Sequence, residues 1–346
     1  MILYLHIPFC TSKCGYCAFN SSSDFFHLQD SYLLALLQDL KRELEGKKHL
    51  LTSIYIGGGT PNTLSSNAYE KIFELITQFA TLTQDCEITL ECNPSLITSS
   101  WCEDLRSLGA NRLSVGVQSF FDDKLDFLQR DHQGRDIAKV LQKACSAGFE
   151  NLSIDLIYGT PLDNQVRLKQ EIALASSLPL THLSAYSLSI DKGSKFYCSP
   201  PTLPLEDMGE IVRLELESRG FRQYEVSNFC KPYKSLHNLS YWKGEEYIGC
   251  GAGAVGYQEG VRYTKLKHIP SYIKNPHQRS IEVLKEEERL LERLFLGLRC
   301  EVGVPLSLLD ANKVKTLIEE DKAYIQEERL KARDFFLADE IALYLS

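Results

Sequence analysis

The sequence predicts an α/β fold: six strand–helix units forming a parallel sheet that curls into an open barrel, with a small domain appended at the C-terminal end. Three observations predict it. Strand-like and helix-like patterns alternate from the first residues. Each strand pattern carries one apolar row and one polar or small row. At 346 residues and 44% apolar composition, the chain can hold one large core and an accessory domain.

The first strand pattern covers 2–7, with Leu3, Leu5 and Ile7 on one side and Tyr4 and His6 on the other. A helical stretch at 30–46 leads to a strand at 53–56, where Ile54 and Ile56 oppose Tyr55 and Gly57. After a helix at 66–80, strand 87–91 sets Ile88 and Leu90 against Thr89, Glu91 and, just beyond, Asn93. Helix 99–107 precedes strand 112–118, with Leu113, Val115 and Val117 against Ser114, Gly116 and Gln118. Helix 134–147 precedes strand 152–157, with Leu152, Ile154 and Leu156 against Ser153 and Asp155. Helix 164–178 and a last strand at 182–190, whose polar row includes Ser187 and Ser189, complete the series. Repeated units of this kind imply parallel strands with right-handed crossovers. A closed barrel fills its interior with branched apolar side chains. A polar interior row therefore points to an open barrel around a polar ligand. Water-facing rows of an antiparallel sheet would conflict with the intervening helices.

The strongest chemical signal is Cys10, Cys14 and Cys17, in a short loop directly after the first strand. Three closely spaced thiolates suit three corners of a 4Fe–4S cluster, which leaves one iron without a protein ligand and open to chemistry. A structural zinc site would want four closed ligands, and no second close cysteine pair follows. Gly57-Gly58-Gly59-Thr60-Pro61 follows the second strand, and consecutive glycines let backbone groups approach a ligand without an intervening side chain. By itself such a run is more often a tight turn. It lacks G-x-G-x-x-G spacing, so no dinucleotide loop is read there. Glu91 and Gln118 fall at the C-terminal ends of their strands and Asp155 late in its own, the end where parallel α/β folds carry ligands. Each alone is more often a satisfied buried polar group.

The spacing C-x3-C-x2-C, with Tyr16 before the last cysteine, resembles the signature of the radical S-adenosylmethionine (SAM) superfamily. Tyr4-Leu5-His6-Ile7-Pro8-Phe9-Cys10 and the glycine run resemble the branch that holds coproporphyrinogen dehydrogenases and heme chaperones, over nearly the whole chain. The resemblance implies a partial (β/α)6 TIM-like barrel over 1–228 and a connecting segment over 229–283. It implies a mainly helical, winged-helix-like domain over 284–346, opening with an amphipathic helix that carries Leu290, Leu291, Leu294, Phe295 and Leu298. It implies a 4Fe–4S cluster on Cys10, Cys14 and Cys17. It also implies SAM held by Gly58, Gly59 and Thr60 at its amino group, by Glu91, Gln118 and Asp155 at the strand ends, and by Arg130 at its carboxylate. Tyr4 and Tyr16 would lie on the adenine side.

The dehydrogenases of this branch carry a fourth cysteine two places after the third, where this chain has Phe19, and a substantial extension before the first strand, where it has only Met1. Cys17-Ala18-Phe19-Asn20 resembles the chaperone word C-D-F-N, with Ala18 departing from its acidic residue. His237-Asn238-Leu239-Ser240-Tyr241-Trp242 resembles that branch's H-N-x-x-Y-W word. On a helix, His237 and Tyr241 would share a face. A neutral imidazole is an ordinary axial heme ligand, so the resemblance makes His237 the candidate heme ligand, with Tyr241 or Trp242 against the porphyrin. Cys230 and Cys250 are weaker thiolate candidates, Cys250 reading as a turn residue among glycines that mark a close backbone approach. The implied function is a heme chaperone that binds the cluster, SAM and heme and delivers heme to acceptor hemoproteins. The alternatives are an oxygen-independent coproporphyrinogen III dehydrogenase and a radical SAM oxidoreductase of other substrate. Cleavage of SAM would require an electron donor, and a cluster with one free iron is compatible with a homodimer.

A net charge of −8 and a pI near 5.6 argue against nucleic acid as a partner. Lys41-Arg42 and Lys47-Lys48 sit beside Glu43 and Glu45 and read as a solvated face. A strand starting at residue 2 leaves no room for a signal peptide, and no apolar run approaches the roughly eighteen residues of a spanning helix. The expectation is a cytoplasmic protein that meets membranes only through its acceptors. Eleven cysteines is an odd number, and Cys86, Cys92, Cys102, Cys145 and Cys300 read as small apolar core residues in a reducing compartment.

Overall fold

The computed structural model describes residues 1–205 and 207–346, and a twelve-stranded sheet dominates it. At its centre β1 (Ile2–Ile7), β2 (His49–Gly58), β3 (Ala80–Cys92), β4 (Arg112–Gln118), β5 (Asn151–Tyr158) and β6 (His182–Ser187) run parallel in chain order. All six expected strands are there. β2 and β3 begin earlier than their patterns indicated, and β6 stops at Ser187, short of 190. Between them lie α1 (Gln29–Leu44), α2 (Ser66–Phe79), α3 (Ser99–Ser107), α4 (Asp122–Leu128), α5 (Ile137–Ser146) and α6 (Gln165–Ser176). The short α4 has no counterpart in the sequence reading, because its seven residues are too few to establish a period.

The apolar strand rows pack outward against these helices. In α2, capped by Ser65, the positions Tyr69, Ile72, Phe73 and Ile76 form one face, and they join Leu36, Leu40, Ile54, Ile56 and Leu90 in a continuous core. Burying a side chain such as Ile72 contributes about 1.5–3 kcal/mol. The polar rows turn inward.

Residues after β6 complete the sheet at both edges. Beyond α7 (Lys195–Cys198) and α8 (Gly209–Ser218), β7 (Arg222–Glu225) and β8 (Asn228–Cys230) add antiparallel strands in the order β6-β8-β7. The chain then passes through α9 (Leu236–Trp242) to the opposite edge, where β9 (Tyr247–Cys250) pairs parallel with β1. β10 (Val255–Gln258), β11 (Val261–Lys265), α10 (Ile269–Lys274) and β12 (Arg279–Val283) follow, the strands antiparallel. Segment 229–283 is thus more than a connector: it supplies a seventh parallel strand. Cys250, expected in a turn, ends that strand and is fully buried. The glycines after it do mark a close approach: at Gly251, with φ +107, a Cβ would stand 2.5 Å from the His6 carbonyl oxygen.

The C-terminal domain comprises α11 (Glu286–Leu298), β13 (Val304–Pro305), α12 (Ala311–Glu319), β14 (Ala323–Gln326), β15 (Arg329–Ala332) and α13 (Ala338–Leu345). Its helices cover a small antiparallel sheet ordered β13-β15-β14, a winged-helix layout with a core of its own around Leu294, Leu298, Leu317, Leu330 and Ile341. It meets the barrel near β7, where Val226 N donates to Arg299 O and Glu301 N to Tyr224 O, both at 2.8 Å. Among the described residues no helix is long and apolar enough to cross a membrane, and no cysteine is in a disulfide. Cys86, Cys92, Cys102 and Cys300 are buried and Cys145 half-buried, as small core residues should be.

Candidate cofactor cavity and its floor

The C-terminal ends of the parallel strands open on a cavity of about 400 Å³. It brings together Cys10, Cys14, Tyr16, Cys17, Gly58, Gly59, Thr60, Glu91, Gln118, Arg130 and Asp155. Tyr4 and His237 are outside its lining.

The cysteine loop is held at several points of its backbone. Cys10 N donates to Ser22 O at 3.2 Å, Ser22 N to Pro8 O at 2.8 Å, Gly15 N to Leu128 O at 3.2 Å, and Phe196 N to Gly15 O at 2.9 Å. Asn20 Nδ2 ties the loop's end to Ala252 O at 2.8 Å. The glycine run lies directly against it: a Cβ at Gly59 would fall 2.7 Å from Phe9 O and 3.0 Å from Cys10 Sγ. Thr60 Oγ1 donates to the Cys10 sulfur at 3.4 Å and Arg130 Nη1 to the Cys14 sulfur at 3.2 Å. Donors and cations at sulfur favour the thiolate that iron requires. Burial works the other way at Cys10 and Cys17, pushing both thiols up. Among the described residues no three such side chains converge tightly enough for a single ion. A cubic cluster asks for something looser, since each thiolate meets a different iron, and this donor set fits it.

On the other side of the cavity, Glu91 accepts from the Tyr55 hydroxyl at 2.8 Å and from Gly58 N at 3.0 Å. Burial raises its carboxyl to about 7, against the pull of those two donors. Burial also raises Asp155, opposed by the hydroxyls of Ser184 and Ser114 and by the Arg112 and Arg130 cations. Gln118 sits at φ 67, in the left-handed region, where β4 loses its register with β5. A non-glycine residue there is strained, and such strain concentrates at ligand sites. Arg130 Nη2 donates to Gly116 O at 2.7 Å, while its Nε is buried without a partner. An unmet cationic donor is what an anionic ligand group would satisfy, so the cavity fits the carboxylate of an amino-acid nucleotide. Tyr16 stands beside Arg130 and Cys14, its hydroxyl pushed up by burial.

Below the cavity, the N-terminal ends of the strands are closed by α9. Glu87, buried on β3, accepts from Leu236 N at 2.9 Å, His237 N at 3.0 Å, the Tyr233 hydroxyl at 2.9 Å and Ser235 Oγ at 3.4 Å. His237 meets Ser53 Oγ through Nδ1 at 2.8 Å and the Tyr241 hydroxyl through Nε2 at 3.2 Å. Burial, with the Arg112 cation adding to it, lowers its imidazole to about 3. The ring is neutral, as a ligand should be, but both nitrogens are committed and the residue is 1% exposed. His237 therefore does not fit as a heme ligand in this arrangement. Tyr4 lies outside the cavity lining, its hydroxyl donating to His6 Nδ1 at 2.9 Å and its ring stacked on Tyr55.

The Radical SAM superfamily profile matches residues 4–175. The heme chaperone HemW of Bacillus subtilis is 38% identical over 318 residues, covering 87% of this chain and 84% of that protein. HemW of Escherichia coli is 35% identical over 297 residues, covering 81% and 78%. The chain belongs to the HemW family. A solved coproporphyrinogen III oxidase (HemN) of E. coli shares its fold, with a TM-score of 0.83 over 99% of this chain and 89% of that one, at 21% identity. In this HemW-family chain the sequence reading missed lining residues such as Asp131 and Tyr186, and it missed two supports of the floor. Tyr55 and Glu87 occupy the same inward rows as Gly57 and Glu91, and that shared parity was the available signal.

Proposed function

We propose that this chain is a heme chaperone built on a radical SAM barrel. It holds a 4Fe–4S cluster on Cys10, Cys14 and Cys17, binds SAM in the polar cavity, and takes up heme for transfer to acceptor hemoproteins. The supporting observation is the convergence of the cysteine loop, the glycine run and the unmet Arg130 donor on one cavity, in a chain whose relatives are named heme chaperones. The bound cofactors supply the one-electron chemistry, and the protein supplies position and dryness. Thr60 and Arg130 steady Cys10 and Cys14. Gly58 and Gly59 bring backbone to the amino group of SAM, Arg130 takes its carboxylate, Glu91 and Asp155 accept from the ribose hydroxyls, and Gln118 and Tyr16 enclose the nucleotide. A physiological electron donor is a further partner if SAM is cleaved. Phe19, 71% exposed at the cavity rim, stands where the dehydrogenases carry a fourth cysteine and favours the chaperone over the enzyme.

The test is an anaerobic reconstitution of the full chain. We expect an iron–sulfur chromophore that Cys14→Ala abolishes, a stable heme complex, passage of heme to an apo-hemoprotein, and unchanged coproporphyrinogen after incubation with SAM and reductant. Decarboxylation of coproporphyrinogen, or failure to take up heme, would overturn the reading.

A further inference from the structure

Tyr55 joins the floor of the barrel to the nucleotide cavity. Tyr55 sits in the inward row of β2, between Ser53 and Gly57. Its ring lies 5.1 Å from the His237 ring below and 6.2 Å from the Tyr4 ring beside it, and its hydroxyl donates to Glu91 Oε1 at 2.8 Å. The other carboxylate oxygen, Oε2, accepts from Gly58 N in the glycine run. We propose that Tyr55 is a positioning residue of this cavity, and that His237, on the H-N-x-x-Y-W helix, acts through it to hold the Glu91 carboxylate for SAM. The inference rests on the reading of Glu91 as a ligand of SAM.

Three features carry it. The floor is anchored independently of any ligand: Glu87 holds the first amides of α9, and Ser53 fixes the His237 ring, so that ring is a stationary support for Tyr55. An ionised carboxylate has about four acceptor positions. Tyr55 and Gly58 N take one on each oxygen, which fixes the plane of the group and leaves the remaining positions for ligand hydroxyls. Finally, the two nitrogens of His237 are used within the floor, so His237 bears on the cavity through the packing of its ring on Tyr55.

Acceptance from ribose hydroxyls needs Glu91 ionised, and its carboxyl stands at about 7. The groups that face it are Tyr55 from β2, Tyr4 from β1, Arg112 from β4, Asp155 from β5, Tyr186 from β6 and the Gly58 amide. Tyr55 is the donor whose loss leaves the others in place. Its removal raises the Glu91 carboxyl further, so SAM binding weakens near neutrality and recovers in alkali.

The experiment measures SAM affinity of the cluster-loaded full chain from pH 6.5 to pH 9, by equilibrium dialysis and by the change SAM makes in the cluster's electron paramagnetic resonance. In Tyr55→Phe, which keeps the ring, we expect affinity about five-fold weaker at pH 7, the loss that a rise of one unit produces, and close to wild type at pH 9. A profile coincident with wild type overturns the proposal. Glu91→Gln separates the two levels of the argument: weak SAM binding at every pH supports the reading of Glu91, whereas wild-type binding removes that reading and the proposal with it. His237→Ala should weaken SAM in the same sense and leave heme stoichiometry and the heme absorption spectrum unchanged. Loss of heme with an unaltered SAM profile overturns the proposal. Should Tyr55→Phe fail to retain its cluster, infrared titration of the Glu91 carboxyl in the full chain decides: a higher midpoint than in wild type supports the role, an equal one refutes it.

Discussion

A methyl group at position 59 has nowhere to go. Its neighbours would be the backbone oxygen of Phe9 and the sulfur of Cys10, and a backbone atom cannot swing aside as a flexible side chain can. Overpacking of this kind costs about 1–3 kcal/mol, and here the strain falls on the cysteine loop. Gly59→Ala should fold, with several-fold less iron after reconstitution than wild type; full iron loading would show that the loop yields without cost. The buried histidines of the floor make a second prediction. His237 and His182 are both held neutral by burial, with the Arg112 cation reinforcing it. An unfolded histidine titrates near 6.5. Below that pH the unfolded chain takes up protons that the native floor refuses, so stability is full above about 6.5 and declines as the pH falls towards 3. Each histidine contributes at most about 1.4 kcal/mol per pH unit to that slope. Urea unfolding between pH 6 and pH 4 should therefore be less pH-dependent in His237→Gln by about one proton, and an unchanged slope would mean that the imidazole is not desolvated.

At the scale of elements, the turns that follow β4 and β5 are bound together by an ion cluster. Lys124 Nζ on α4 donates to Asp163 and to Glu171 on α6, both at 2.8 Å, and all three side chains are buried. Asp163 in turn accepts from Thr160 N and Oγ1 at 2.8 Å, and Glu171 from Phe120 N at 3.1 Å and from the Ser119 hydroxyl. The cluster thus clamps the chain on the far side of strained Gln118. Lys124→Met leaves two buried carboxylates without their cation and should cost about 3–5 kcal/mol, read as a lower urea midpoint. A loss below 1 kcal/mol would mean that water reaches the cluster. Nothing local disclosed this arrangement. Asp122-Asp123-Lys124 carries no local sign of burial, because lysine is rarely buried unless paired and its partners lie 39 and 47 residues further on. The strands were legible for the opposite reason. Alternation at β1 or β4 is written into consecutive residues, and it also exposed the inward row that became the cavity.

Over the whole molecule, what the sequence concealed was long-range pairing. β9 lies beside β1, matching Tyr247 to Ile2, yet its Gly249 and the glycines that follow read as a turn when only neighbours are considered. The same distance hid the floor: the H-N-x-x-Y-W word is legible as a word, but its burial under β2 and β3 depends on Ser53 and Glu87 from the barrel's first half. The C-terminal domain behaves differently, because its contacts are mostly its own. Its core is separate from the barrel core, and the described links at the β7 edge are the two backbone hydrogen bonds that make the Glu225–Cys300 bridge and the ion pairs of Glu301 with Arg222 and Lys234, while Arg262 on β11 pairs with Glu292 on α11. Leu330 on β15 is fully buried at the centre of the smaller core, so Leu330→Ala should remove about 2–5 kcal/mol from that unit. Hydrogen exchange locates where the loss falls. Amides of α11, α12, α13, β14 and β15 should lose protection while those of β1–β6 keep theirs; equal loss in the barrel strands would mean that the links at β7 join both cores into one cooperative unit.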